Sequence, residues 1–73
     1  MSSTKVMSEL NAIVAKIEAE VGSRVGEGDT IILLESMKME IPVSAPCGGT
    51  IAAIHVAEQD MVSEGQLLAV IEA

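Results

Sequence analysis

The sequence contains no phenylalanine, tyrosine or tryptophan, and this absence constrains how the protein can fold. Any hydrophobic core has to be built from isoleucine, valine, leucine, methionine and alanine side chains. The single cysteine, Cys47, cannot form an internal disulfide, and no cluster of cysteine and histidine residues offers a structural metal site. Aliphatic packing therefore has to stabilise a chain of 73 residues, which has room for one domain spanning residues 1–73.

Basic residues are also scarce, with four lysines and arginines against eleven acidic residues and a formal net charge of -7. This charge repels phosphate backbones and anionic lipid headgroups, so we expect neither nucleic acid nor a membrane surface as a partner. No apolar run approaches the roughly 20 residues of a membrane span, and the N-terminus lacks a basic and then apolar signal pattern. Together with the unpaired cysteine, these features predict a cytoplasmic protein whose partners are other proteins.

Residues 4–21 fit two different patterns. The large apolar residues within Val6–Ile17 recur every three or four positions, which is typical of a helix. Ile13–Val21 also alternates with a period of two, which is typical of a strand with one wet face. This second pattern predicts that odd-numbered side chains point inward and that Val14 lies on the wet face. The local pattern alone leaves helix and strand open.

An internal repeat favours the strand. Residues of the first half match residues of similar type 37 positions later, and the matched pairs are Val14 and Ile51, Ile17 and Ile54, Ala19 and Val56, Val25 and Val62, Gly28 and Gly65, Ile31 and Leu68, Leu33 and Val70, Leu34 and Ile71, and Glu35 and Glu72. The second copy, Ile51–Ala57, is rich in β-branched residues and follows Gly48-Gly49, which predicts a strand after a turn. The sequence therefore predicts an all-β sandwich whose two halves pack about an approximate two-fold axis.

The two halves meet at a predicted hairpin. The apolar segments Ile31–Glu35 and Met39–Val43 flank Ser36, Met37 and Lys38, so we expect the chain to reverse there in a tight turn. By the repeat offset, the counterpart of Lys38 is residue 1 or lies just past residue 73, which predicts that the chain ends lie opposite the tip. Tight hairpins favour Asn-Gly or Asp-Gly, because both central residues take positive φ. Strain at Met37 and Lys38 would therefore indicate selection for chemistry at the lysine.

The segment Glu35-Ser36-Met37-Lys38-Met39-Glu40 resembles the biotin-attachment motif of biotin carboxyl carrier domains, whose centre is Met-Lys-Met. Further landmarks of that family are similar to residues 25–29, 41–46 and 62–68. The resemblance extends over Val6–Glu72. Since no enzyme domain flanks this region, the chain is most similar to the short stand-alone carriers called biotin/lipoyl attachment proteins.

This resemblance implies a flattened β-barrel or sandwich of two four-stranded antiparallel sheets, with a modified lysine at a hairpin tip. It implies that biotin protein ligase joins biotin to Lys38 through an amide bond. Recognition by the ligase and the partner enzymes is assigned to the neighbouring residues Glu35, Ser36, Met37, Met39 and Glu40. The chain would then shuttle carboxybiotin between the biotin carboxylase and carboxyltransferase of an acyl-CoA carboxylase, as a monomer without catalytic residues or a metal of its own.

Three positions depart from the pattern of the family. Gly-Asp is usual where Gly22-Ser23 and Gln59-Asp60 stand, and a glycine is usual at Ala12. We expect each departure to make the local backbone less favourable without affecting the tip.

Two other functions of the same fold stay open. A lipoyl domain also carries a lysine at a hairpin tip, but it resembles Asp-Lys-Ala there and Met37-Lys38-Met39 does not. A binding module that carries no cofactor normally has a long helical insertion in place of the tip, and the sequence contains none. At the level of single residues, Lys38 could be an ordinary surface lysine, and Met37 and Met39 could fill the core.

Overall fold

The computed structural model describes residues 2–73, so Met1 lies outside the described residues. Eight strands follow one another along the chain: β1 (Ser3–Met7), β2 (Ala12–Ile17), β3 (Arg24–Val25), β4 (Thr30–Ser36), β5 (Met39–Ser44), β6 (Gly49–Ile54), β7 (Met61–Val62) and β8 (Leu67–Glu72). They form two four-stranded antiparallel sheets. The predicted fold is therefore confirmed.

The two sheets have the strand orders β5-β4-β2-β7 and β1-β8-β6-β3. We call the first the tip sheet, because it contains the β4–β5 hairpin, and the second the terminal sheet, because β1 and β8 carry the two chain ends. Each sheet contains two strands from each half of the chain, since β2 and β4 lie with β5 and β7 in the tip sheet, and β1 and β3 lie with β6 and β8 in the terminal sheet. Neither half therefore forms a sheet without the other.

Strands β1 and β2 occupy the segment whose spacing also fitted a helix. No helix is present in residues 2–73, so that alternative is wrong. β1 pairs with β8 from Ser3 and Glu72 to Met7 and Leu67, and β2 pairs with β4 and β7. These ladders join residues far apart in the sequence, which is why a pattern read from one segment could not reveal them.

The alternation predicted for Ile13–Val21 is wrong at both ends, because Ile13 is 40% exposed while Val14 is fully buried, and because Val21 is 61% exposed. The pairing of β2 with β4 shifts between Val14 and Lys16, so Ala15 is an extra residue in the strand. Such a β-bulge reverses the phase in which side chains alternate between the two faces of a sheet. Inward-facing positions are therefore even-numbered before the bulge and odd-numbered after it as far as Ala19.

The core lies between the sheets and is aliphatic. Its largest fully buried side chains are Val14, Ile31, Ile32, Leu34, Ile51, Leu68 and Ile71. Complete burial of one such side chain is worth about 1.5–3 kcal/mol relative to exposure in water. Ser8 is the one polar residue buried in the described part of the chain, and its hydroxyl donates a hydrogen bond to the Leu10 carbonyl oxygen at 2.6 Å.

The repeat holds at the level of single backbone hydrogen bonds. The Gly22 N–H donates to the Ile51 carbonyl at 2.8 Å, and the corresponding Gln59 N–H donates to the Val14 carbonyl at 2.8 Å. The bulge of β2 also recurs 37 residues later, between Ile51 and Ala53 of β6. The two halves therefore share their backbone plan, including its irregularities.

The chain ends meet in the terminal sheet. The Ala73 N–H donates to the Ser2 carbonyl at 3.1 Å. By the repeat offset, this pair corresponds to the last pair of the β4–β5 hairpin in the tip sheet. The ends therefore take the place in one sheet that the tip takes in the other, and Met1, the expected counterpart of Lys38, lies outside the described residues.

The two sheets differ at one pair of corresponding positions in the room that they leave for a side chain. A Cβ on Gly49, at the start of β6, would meet the Glu72 carbonyl oxygen and would lie 2.8 Å from Ile71 Cγ2. The corresponding residue of β2 is Ala12, which has a Cβ already. The backbone at Gly49 therefore leaves no room for a side chain, whereas the backbone at Ala12 accommodates one.

Candidate modification site

The β4–β5 hairpin ends in a turn of two residues, Met37 and Lys38. Ser36 and Met39 form the last cross-strand pair below this turn. Both central residues are left-handed, with φ values of 53° for Met37 and 65° for Lys38. Positive φ at both central positions characterises the type I′ turn, whose twist matches that of the paired strands. The tight hairpin predicted from the sequence is therefore confirmed.

The residues of this turn do not favour its geometry. A left-handed residue other than glycine costs about 1–2 kcal/mol, which the usual turn residues largely avoid. Packing does not offset this cost, because Met37 is 91% exposed and Lys38 is exposed as well. Strain without a gain in packing indicates that the side chains themselves are used at this place.

The two methionines beside the lysine lie outside the core. Met37 is 91% exposed and Met39 is 63% exposed, whereas Leu34 on the same hairpin is fully buried. The alternative in which the methionines fill the core is therefore wrong. Lys38 stands between two exposed thioether side chains, which are flexible and polarisable and suit surfaces that contact other proteins.

Two carboxylates flank the base of the tip. Glu35 and Glu40 lie directly opposite each other on β4 and β5, and both are exposed. Like charges in this arrangement destabilise a sheet slightly, so folding does not require the pair. Ser36 is half-buried between Glu35 and the turn. The turn that carries the Lys38 cation therefore follows directly on a pair of carboxylates.

An apolar surface that the hydrophobic pattern of the sequence does not predict lies beside the tip. Ile13 on β2 pairs with Met61 on β7, and the two residues are 40% and 80% exposed. Together with Met37 they line an open hollow of about 460 Å³, which we call the side hollow. The repeat contained the signal, because the residues at the corresponding positions of the other half, Thr50 and Arg24, are polar.

The other reactive side chains lie away from the tip. Cys47 is half-buried, and its Sγ lies 3.5 Å from Thr4 Oγ1. His55 is exposed just after β6. Within residues 2–73, no three histidine, cysteine, aspartate or glutamate side chains are grouped so that they could hold a metal ion. No helix in this part of the chain is long and apolar enough to cross a membrane.

Comparisons with known proteins identify the family. A family model described as "Biotin-requiring enzyme" matches residues 2–71. The chain is 42% identical over 66 residues to a protein of Mycobacterium leprae named "Biotinylated protein TB7.3 homolog", and the match covers 90% of this chain and 93% of that protein. It is 39% identical over 67 residues to pyruvate carboxylase of Bacillus subtilis, a match that covers 92% of this chain and 6% of the enzyme.

A solved structure gives the same result. The urea carboxylase of Kluyveromyces lactis contains a region that superposes on this chain with a TM-score of 0.93 and 36% identity, covering 99% of this chain and 6% of that enzyme. The chain therefore matches a relative of similar length as well as small parts of much larger carboxylases. From the family model, the relatives and the shared fold, we conclude that the chain belongs to the biotin/lipoyl family and is a biotin carrier domain of the kind found in biotin-dependent carboxylases.

Proposed function

We propose that a biotin protein ligase attaches biotin covalently to Lys38, and that the chain, as one biotinyl domain of residues 1–73, carries a carboxyl group between two enzymes. These enzymes would be the biotin carboxylase and the carboxyltransferase of an acyl-CoA carboxylase. One observation carries the proposal: the exposed Lys38 occupies a left-handed turn at the end of the β4–β5 hairpin, with φ of 65°.

Attachment requires an amine that is accessible and can lose its proton. A lysine amine is mostly protonated near neutral pH, so the ligase has to remove a proton before the nitrogen can attack. Lys38 Nζ would then attack the acyl carbon of biotinyl-adenylate and form an amide bond as adenylate leaves. The exposure of Lys38 and of the turn around it leaves room for the active site of the ligase.

Bound biotin would supply a ureido nitrogen that takes up a carboxyl group at one active site and releases it at another. The protein contributes a stiff base and a flexible arm. The base is the β4–β5 hairpin, which the buried side chains of Ile32 and Leu34 anchor in the core. The arm is the side chain of Lys38. A tethered group reaches a high effective concentration at each active site, so the carrier does not need to bind tightly.

The residues around the lysine would identify the tip to the ligase and to the partner enzymes. This group consists of Glu35, Ser36, Met37, Met39 and Glu40. Four of them are exposed and Ser36 is half-buried, and Glu35 and Glu40 form a like-charge pair. The exposure and the like-charge pair support recognition as their role, because neither feature helps the chain to fold. We further propose that the chain acts in the cytoplasm as a monomer, and that it has no catalytic residue of its own and meets its partners as a substrate.

Replacing Lys38 by arginine tests the proposal. Guanidinium keeps the positive charge but is effectively never a neutral nucleophile, so Lys38→Arg should abolish the incorporation of biotin without disturbing the fold. Incubation with ligase, biotin and ATP, followed by mass spectrometry and avidin blotting, measures the modification, and far-UV circular dichroism checks the fold. Lys5→Arg and Lys16→Arg, on β1 and β2, are matched controls that should be modified like the natural chain.

The charge of the product provides a second readout. Acylation removes one cation, so the formal net charge should fall from -7 by one unit, and native gels should separate the two forms. Labelling that persists in Lys38→Arg would place the acceptor elsewhere and overturn the proposal. Lipoate in place of biotin on the Lys38 peptide, in protein purified from its own source, would instead identify a lipoyl carrier.

A further inference from the structure

The side hollow beside the tip is a feature that the proposed function leaves unexplained. Its volume of about 460 Å³ lies within the range of small-molecule sites. Ile13, Met37 and Met61 make part of its lining apolar, and Asn11 and Glu35 make another part polar. A mixture of apolar surface and a few polar groups is what a small ligand with one polar ring requires.

The fold does not require the apolar residues of this hollow. Ile13 and Met61 pair with each other in the tip sheet as Thr50 and Arg24 pair with each other in the terminal sheet. The same backbone arrangement therefore forms with polar side chains. Met61 is 80% exposed, so its apolar surface gains little from burial within the protein. Something that covers this surface would explain why it is apolar.

We propose that the biotinyl group attached to Lys38 folds back and rests in the side hollow between its visits to the partner enzymes, an inference that rests on the proposed function. About ten bonds separate the lysine Cα from the ring of an attached biotin, which gives a reach of about 12 Å. Ile13 and Met61 lie one and two strands to the side of β4, or about 5 and 10 Å. Both lie near the tip end of their strands, because Ile13 is paired with Glu35.

The chemistry of the hollow fits the group that would occupy it. The acyl chain and the sulfur-containing ring of biotin are apolar, and Ile13 and Met61 provide apolar contact. The ureido ring has two N–H donors and a carbonyl acceptor. The Glu35 carboxylate can accept from a ureido N–H. Asn11 Oδ1 already accepts the Glu64 backbone N–H at 2.8 Å, so the Asn11 amide nitrogen remains to donate to the ureido carbonyl.

The tether makes a weak site sufficient. The hollow is open and would hold free biotin poorly, but a group on a short flexible arm experiences an effective concentration of about millimolar or more. A site with millimolar affinity would then be occupied for about half of the time. Such a site shelters the ring without hindering its release into an active site.

Methyl NMR tests the inference on the full chain. With methionine labelled at its methyl carbon, the Met61 resonance should move when Lys38 is biotinylated, and it should show nuclear Overhauser contacts to the ring protons of biotin. Met7, an exposed methionine on β1 of the terminal sheet, serves as an internal control and should show neither change.

Variants separate the resting site from the attachment. The double variant Ile13→Thr/Met61→Arg gives the hollow the residues of the terminal sheet, and it should still gain the mass of biotin while losing the contacts to the ring. Val21→Thr, a matched change at an exposed residue elsewhere, should retain them. An unmoved Met61 resonance in fully biotinylated protein would overturn this inference and leave the proposed function intact. The same result is expected if the hollow contacts a partner protein and not the biotinyl group. A failure of biotinylation would overturn the proposed function and this inference with it.

Discussion

The tip sheet and the terminal sheet share one backbone plan but carry different side chains on it. Met61 and Ile13 of the tip sheet occupy the positions of Arg24 and Thr50 in the terminal sheet. The tip sheet closes with the turn Met37-Lys38, whereas the terminal sheet holds the two chain ends at that place. Strand pairing therefore tolerates either set of side chains. The fold requires the shared backbone pairing, but it does not require a particular side chain at these positions.

Gly49→Ala should have the largest effect among the changes at positions where the two sheets correspond, because the backbone at Gly49 leaves no room for a Cβ. The new Cβ would meet the Glu72 carbonyl oxygen and Ile71 Cγ2, so β6 and β8 would have to move apart. We expect a loss of about 2–3 kcal/mol in the free energy of unfolding. This corresponds to a fall of roughly 8–24 °C in Tm for a domain of this size. Far-UV circular dichroism is the appropriate measurement, because the chain has no aromatic residue.

The matched variant in the tip sheet is Ala12→Gly. It removes a Cβ that the structure accommodates, so it should cost only about 0.5–1 kcal/mol through the greater freedom of the unfolded chain. Equal losses in the two variants would contradict the difference in packing between the sheets.

Moderate changes in the free energy of unfolding, of opposite sign to each other, are expected at a second pair of corresponding residues. Gly22 and Gln59 both have positive φ, of 94° and 77°. Glycine accepts this conformation without strain and glutamine does not, so Gln59→Gly should raise the free energy of unfolding by about 0.5–1 kcal/mol. Gly22→Ala should lower it by about 1 kcal/mol, since a Cβ there meets no atom within 4 Å and only the backbone conformation is strained.

Urea denaturation followed by circular dichroism measures both changes. If Gln59→Gly were destabilising, the glutamine would be contributing something that the backbone comparison does not contain. Together the two substitutions measure how much free energy of unfolding the protein loses because it has glutamine, and not glycine, at position 59.

The smallest effect on stability is expected at the tip, where the two sheets differ most in function. Met37 and Met39 are exposed, so changing each to alanine should alter the free energy of unfolding by less than about 0.5 kcal/mol. The rate of biotinylation should nonetheless fall, because the ligase would lose part of the surface that it contacts. Leu34→Ala, in the buried part of the same hairpin, is the contrasting control and should cost about 2–5 kcal/mol. A large loss of stability with unchanged ligase kinetics would contradict a recognition role for the methionines.

Most of the fold could be predicted because the repeat places equivalent residues in equivalent environments. Leu34 and Ile71, for example, were matched by sequence and are both fully buried. The hairpin could be predicted as well, since two strongly apolar segments flank Met37 and Lys38 closely. A tight turn leaves few ways to join such strands, so local sequence and overall topology agree there.

The phase of β2 and the side hollow could not be predicted by the same reasoning. The period of hydrophobic residues does not reveal an extra backbone residue such as Ala15, so this period places Val14 on the wrong face. The repeat pairs Val14 with Ile51, which is buried, so the repeat predicts correctly that Val14 faces the core. Ile13 and Met61 are 48 residues apart in the chain, and only the crossing of β7 into the tip sheet brings them together.

The hydrogen bond between Ala73 and Ser2 joins β8 to β1 at one end of the terminal sheet. The turn Met37-Lys38 occupies the corresponding place in the tip sheet. A circular permutation that joined residues 2 and 73 and opened the chain between Met37 and Lys38 would therefore leave the strand pairing of both sheets unchanged. It would release Lys38 from the left-handed turn, and so it would separate the contribution of the turn from that of the lysine itself.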